Sequence, residues 1–153
     1  DENIEMLKLN KKKNNQTKNI KCFCNEAEKL PFPDNYFNYY TVSFGIRNVK
    51  NINSTLKEAY RVLKTGGRFI CLEFSKVENE PIKKLYKLYS SIIPEIGKVV
   101  VGKSFPYKYL TKSIESFYNQ EEFANKIAEH KFEKITYKNL SFGVVAIHSG
   151  WKI

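Results

Sequence analysis

The sequence predicts an α/β domain built on a doubly wound sheet, and three features carry that expectation. A β-forming run at residues 37–44, an amphipathic stretch and an apolar run at 69–74 follow one another as strand, helix and strand, the spacing of a parallel βαβ unit. Near the end, residues 135–140 and 144–147 alternate on either side of Ser141-Phe142-Gly143, as an antiparallel hairpin does. The 153 residues, 42% of them hydrophobic, suffice for one domain with its own core.

Taken in order, Ile4, Met6, Leu7 and Leu9 suit a short amphipathic helix over 3–9, followed by a solvated Lys/Asn-rich loop to residue 18. Residues 20–24 alternate like a strand, which puts Cys22 and Cys24 on one buried face, and Pro31, Pro33, Asp34 and Asn35 then force a loop. Tyr39, Tyr40, Thr41 and Val42 favour a strand over 37–44, and residues 45–49 read as a loop. Leu56, Ala59, Tyr60 and Leu63 recur at helical spacing behind a cap at Asn53, Ser54 or Thr55. Gly66-Gly67 is expected to stop that helix, and 69–74 to be a strand buried on both faces. Residues 81–117, interrupted at Pro94, Gly97, Gly102 and Pro106, read as a helical insertion or lid more than a core layer. Asn119 to Glu122 resembles a capping box that starts a helix to residue 130, with Phe123, Ile127 and Ala128 facing inward.

Lysine and arginine number 26 against 16 acidic residues, a net charge of +10. Only Arg47, Arg61 and Arg68 are arginines, and no recognition-helix, RRM-like or zinc-finger pattern accompanies the charge, so nucleic acid is not an expected partner. Scattered lysine reads first as a generally basic, solvated surface, and an anionic membrane surface is the partner that the net charge raises. No apolar run approaches the ~20 residues that cross a bilayer. Three cysteines without repeated spacing indicate neither a disulfide framework nor a zinc site, no metal is expected, and a reducing compartment is. The absence of Met at Asp1 and of any presequence reads as a fragment boundary.

Several segments are more specific than these patterns. Glu5 to Lys8 after Asp1, Ala27-Glu28-Lys29-Leu30-Pro31-Phe32 with Asp34-Asn35, Phe44-Gly45-Ile46-Arg47-Asn48-Val49, Arg61-Val62-Leu63-Lys64, Leu72-Glu73-Phe74-Ser75 and the stretch from Gly143 to Gly150 resemble the ubiquinone/menaquinone biosynthesis C-methyltransferases, the UbiE family. The mitochondrial branch is the one it looks most similar to. The resemblance implies a class I S-adenosylmethionine (SAM)-dependent methyltransferase fold, Rossmann-like, lacking its first strands. Residues 1–153 would then be a partial methyltransferase domain with its insertion at about 81–117. The implied reaction is C-methylation of a 2-methoxy-6-polyprenyl-1,4-benzoquinol at the matrix face of the mitochondrial inner membrane, in possible company with a multi-enzyme ubiquinone biosynthesis complex. A less specific enzyme would methylate a menaquinol or another phenol; a non-catalytic, methyltransferase-like subunit docking on a membrane or partner is the alternative from another class.

The same resemblance places Asp1 where an acidic side chain takes both ribose hydroxyls of SAM, Glu26 and Ala27 at the adenine, and Ser43 at a further SAM contact. Asn25-Glu26 departs from the family's Gly followed by Asp or Asn, Asn38 replaces an Asp, Thr65 replaces a Pro, and the Gly-rich loop of the cofactor site is absent. SAM binding by these residues alone is therefore expected to be weak. Arg47 and Asn48 fall at the substrate, where Arg47 is a poor literal base and a better electrostatic support for a phenolate. His148 is the alternative base, against a packed role, and His130 reads as structural. Tyr86, Tyr89, Tyr107 and Tyr109 would wall a prenyl-benzoquinol pocket, or serve as core. With the family's first two strands missing, the sheet is expected to show a gap beside 39–44, or strands 20–24 and 37–44 brought together.

Overall fold

The computed structural model describes residues 3–13, 19–77, 80–82, 84 and 105–153. Helix α1 spans Ile4–Lys13, four residues further than the apolar pattern predicts, and Ile4, Met6 and Leu9 on it are all exposed. Strand β1 is Phe37–Ser43, helix α2 Ile52–Val62, strand β2 Leu63–Phe74, helix α3 Phe105–Ser116, helix α4 Gln120–Ala128, strand β3 Glu133–Leu140 and strand β4 Val145–Trp151. The sheet order is β1-β2-β4-β3, with β1 and β2 parallel and the β3–β4 hairpin antiparallel, as the sequence predicts.

Residues 20–24 are the main correction. They form no strand, Ile20 and Phe23 stay exposed, Cys22 is half-buried and Cys24 exposed. Alternation supplies two faces but does not by itself place a strand alongside, and among the described residues this segment joins no ladder. Among the described residues nothing pairs with the outer side of β1, which is an edge strand, and residues 20–24 are not joined to it.

Other differences are local. The cap of α2 is Asn51, whose side chain accepts from the Ser54 amide at 3.0 Å, two residues before the first expected position. Gly66-Gly67 does not end the helix; both lie within β2, where the ladder jumps from Phe37↔Leu63 to Tyr39↔Arg68. Gly66 has φ +78°, and a Cβ at Gly67 would stand 2.7 Å from the Lys64 carbonyl, so this wide bulge requires both glycines. The helix stop falls instead to Lys152, whose Nζ donates to the carbonyls of Tyr60 at 2.9 Å and Leu63 at 2.8 Å, over the Tyr60 ring.

Strand β2 is buried on one face only. Phe69, Cys71 and Glu73 are inaccessible, while Ile70, Leu72 and Phe74 between them are half-buried. The covered face receives Leu56 and Ala59 from α2 and Phe123 and Ile127 from α4, with Ile46, Leu63, Phe117 and Phe132 completing the core. Each such side chain contributes about 1.5–3 kcal/mol on burial. Phe117, assigned by sequence to the insertion, is thus a core residue. The α4 capping box forms as predicted between Asn119 and Glu122, but the helix ends at Ala128, which is exposed beside the inward Ile127.

Candidate functional site

The carboxyl ends of parallel strands are where open α/β sheets gather ligands, and β1 and β2 end side by side. After Ser43 the chain turns sharply at Phe44, whose φ of 51° lies in the left-handed region, and makes one 3-10 turn over Ile46–Asn48. Ile46 is driven fully into the core, which fixes what its neighbours can face. Arg47 is aimed at the end of β2, and Asn48 is left exposed.

Arg47 is not a surface residue. Its Nη1 donates to Glu73 Oε1 at 2.6 Å and to the Phe44 carbonyl at 3.0 Å, its Nε donates to Ser113 Oγ at 3.3 Å, and the guanidinium lies over the Phe74 ring. The side chains of Arg47 and Glu73 are 7% and 2% exposed, a desolvated ion pair. Tyr109 Oη donates to Asn48 Oδ1 at 3.2 Å, so α3 grips both candidate substrate residues, one through Ser113 and one through Tyr109. Three residues expected at the substrate, Arg47, Asn48 and Tyr109, are brought together. Tyr86, Tyr89 and the Tyr107 side chain lie outside the described residues, as does Asp1.

Glu73 and Ser113 were given no role by sequence. The signal for Glu73 was present: a lone carboxylate inside the apolar run Phe69 to Phe74 has to meet a cation if that run is buried. For Ser113 the sequence holds no signal.

Glu26 and Ala27 sit on a loop pinned to α2. Glu28 accepts from the Asn51 amide at 3.0 Å and Glu58 from the Leu30 amide at 2.6 Å, while Arg61 bonds Glu58, Asp34 and the carbonyls of Leu30 and Phe32. That hydrogen bond from Arg61 holds the Glu58 carboxyl below the usual carboxylate range. Glu26 forms an exposed ion pair with Lys50, one turn beyond Arg47, and Ser43 lies exposed at the end of β1. A cleft of about 710 Å³ opens on the helical side, lined by Glu28, Asp34, Lys57, Glu58, Arg61 and Lys152 among others, and includes none of the candidate site residues. We place the site at the strand ends because the convergent polar groups are there.

His148 lies in β4 opposite Cys71, 2% exposed, between the rings of Phe123 and Tyr137. Its Nε2 is 2.8 Å from the Gln120 carbonyl, so Nε2 carries the proton, and Nδ1 has no partner among the described residues. This is the arrangement of a packed histidine. Burial pushes its pKa below the ordinary 6.5. The unfolded chain therefore binds a proton more readily than the folded one, so stability present above pH 6.5 falls as the solution is acidified through that value. Urea unfolding from pH 7.5 to 5 checks this: the wild-type chain should lose stability in that window, and His148→Gln should lose less.

Compared with known proteins, residues 1–152 match the family described as the ubiE/COQ5 methyltransferase family. The chain belongs to that family. Its UbiE relatives include the ubiquinone/menaquinone biosynthesis C-methyltransferases of Rickettsia akari, 58% identical, and Rickettsia prowazekii, 54% identical, in each case over 100% of this chain. The chain spans 63% of the length of those relatives. Both are bacterial, so the mitochondrial setting finds no support in them.

Among solved structures, a SAM-dependent methyltransferase of Thermotoga maritima, described as a possible histamine N-methyltransferase, superposes with a TM-score of 0.69 at 21% identity, covering 100% of this chain and 72% of its own. A SAM-dependent methyltransferase of Aquifex aeolicus gives 0.66 at 17%, covering 100% of this chain and 66% of its own. At such identities the likeness is one of fold, and the fold of this UbiE-family chain is that of the class I SAM-dependent methyltransferases, with the C-terminal antiparallel hairpin the sequence predicts.

Proposed function

We propose that this chain carries the substrate side of a SAM-dependent C-methyltransferase acting on the ring of a 2-methoxy-6-polyprenyl-1,4-benzoquinol. One observation carries the reading: Arg47, Asn48 and Tyr109 converge at the carboxyl ends of two parallel strands, with Arg47 locked by a buried carboxylate. Family membership and the UbiE relatives support it.

Methylation at carbon requires a ring hydroxyl to lose its proton, so that charge moves to the adjacent carbon, which attacks the methyl in line. The hydrogen-bond donors must meet the developing phenolate oxygen. Arg47 spends Nη1 and Nε on protein partners, and among the described residues Nη2 has none, so Nη2 is the nitrogen offered to that oxygen. Because Glu73 already balances its charge, Arg47 acts as a fixed donor and not as a free cation. Asn48, held by Tyr109, orients the ring or a water.

The chemistry of these residues fits the adenine end of SAM: the Glu26 carboxylate would accept from the exocyclic amine, the Ala27 amide would donate to a ring nitrogen and the Ser43 hydroxyl would make a further contact. Among the described residues the Glu26 side chain is tied only to an exposed lysine, a pairing that water screens and a ligand can displace. When bound, SAM supplies an electrophilic methyl group on sulfonium. The deciding experiment is transfer of a labelled SAM methyl to a short-tailed benzoquinol by the full-length protein, with menaquinol and simple phenols as competitors. Methyl transfer to the benzoquinol that menaquinol and simple phenols do not suppress supports the reading; no transfer to any quinol removes it.

The polyprenyl tail partitions into lipid, and the net charge of +10 is drawn to anionic headgroups, each well-placed lysine contributing ~1 kcal/mol. Peripheral binding follows, to the matrix face of the inner membrane in the mitochondrial setting, with or without a biosynthetic complex. In flotation, vesicles with 30–40% anionic lipid should carry the protein at ~0.05 M salt and release it at ~0.5 M. Equal flotation with neutral vesicles would remove the electrostatic part.

A further inference from the structure

We propose that Glu73 is the positioning residue of this site: it fixes the Arg47 guanidinium in one orientation, so that the substrate oxygen meets Nη2 and no other nitrogen. The proposal rests on the methyl-transfer reading above. Glu73 is 1% exposed and uses both carboxylate oxygens locally. Oε1 accepts from Arg47 Nη1 at 2.6 Å and from the Phe74 amide at 2.9 Å, and Oε2 from the Arg47 amide at 3.4 Å. One carboxylate thus holds the main chain and the side chain of Arg47, and is itself held by the strand it sits on. The Phe44 carbonyl, Ser113 and the Phe74 ring occupy three further sides of the guanidinium.

Stability alone does not account for such a pair, because two well-packed apolar side chains of similar volume generally serve a core as well or better. What an apolar pair lacks is direction. A guanidinium on a one-turn 3-10 segment has four rotatable bonds to fix, and a carboxylate rooted in the central strand fixes the last of them. Glu73 touches no substrate in this scheme; it acts through Arg47.

The test compares the wild-type full-length protein with Glu73→Gln, which keeps the shape and loses the charge, and Glu73→Asp, which keeps the charge and retracts it by one methylene. Glu129→Gln, which breaks only the exposed pair with Lys126, is the control. For each, kcat, quinol KM, SAM affinity and the thermal midpoint are measured. Both Glu73 variants should lower kcat by about 10²-fold, the usual effect of misplacing a reacting group by about 1 Å, with quinol KM and SAM affinity close to wild type. A folded Gln or Asp variant with wild-type kcat overturns the proposal, and so does a rate loss that only follows the loss of folded protein. An inactive wild-type protein is a different result: it removes the methyl-transfer reading itself.

Discussion

Arg47→Ala is expected to fail twice over, in chemistry and in folding, and the two losses are separable. In the full-length protein kcat should fall roughly 10²- to 10³-fold, the usual effect of removing one donor to a developing oxyanion, while SAM affinity stays near wild type. In urea unfolding of the chain described here, the same change strands the Glu73 carboxylate, 2% exposed, without its cation. Removing one member of a buried pair costs about 3–5 kcal/mol. Arg47→Ala combined with Glu73→Ala should therefore be more stable than Arg47→Ala alone, although it removes more atoms. If the double variant is less stable than the single, the pair is not the desolvated unit that the geometry describes. Arg47→Lys keeps the charge but loses the fork that bonds Phe44, Ser113 and Glu73 together, so it should recover little of the rate. His148→Ala discriminates the alternative base. A larger rate loss there than in Arg47→Ala, with loss of a limb in the pH profile near neutrality, would make the histidine the base and overturn the assignment of Arg47.

Phe123→Ala is expected to have an effect of similar size on stability through a different cause. Phe123 is fully buried and its ring meets those of Phe117, Tyr118 and His148, joining α4 to the sheet. Truncating a buried Phe costs about 3–5 kcal/mol, against a total of roughly 5–15 kcal/mol for a domain. The cavity would adjoin His148, 5.0 Å away between ring centres. Water admitted there would solvate the ring and let its pKa rise toward the ordinary value, which an NMR titration of the His148 Cε1 proton reads directly. Phe123→Leu should lose less stability and leave the titration near wild type. An unchanged His148 pKa in a folded Phe123→Ala chain would show that the ring is not what keeps water from the imidazole.

Much of this molecule is legible one segment at a time. The βαβ unit, the hairpin and the capping box at Asn119 follow from local periodicity and turn chemistry, while the meaning of the Phe44 to Val49 and Leu72 to Ser75 segments came from their resemblance to the UbiE family. These are properties of neighbours in sequence, where 3.6- and 2-residue repeats and side chain-to-backbone bonds act. Residues 20–24 show the limit, since a strand exists only if another strand lies beside it. The ends of α2 show it again: Lys152, 92 residues from Tyr60, supplies the stop that the Gly66-Gly67 pair was expected to make.

The site divides in the same way. In the sequence, the resemblance to the UbiE family singled out Arg47 and Asn48 as the residues to watch, because a motif fixes which side chains occur together. Only the tertiary structure decided that Arg47 is locked by Glu73, 26 residues away, and by Ser113, 66 away. It also decided that Tyr109 reaches Asn48 and that His148 is sealed behind Phe123. The physical reason is desolvation. Whether an arginine is a mobile surface cation or half of a buried ion pair, and whether a histidine is a free base or a neutral packed ring, depends on how much water the rest of the chain removes from around it.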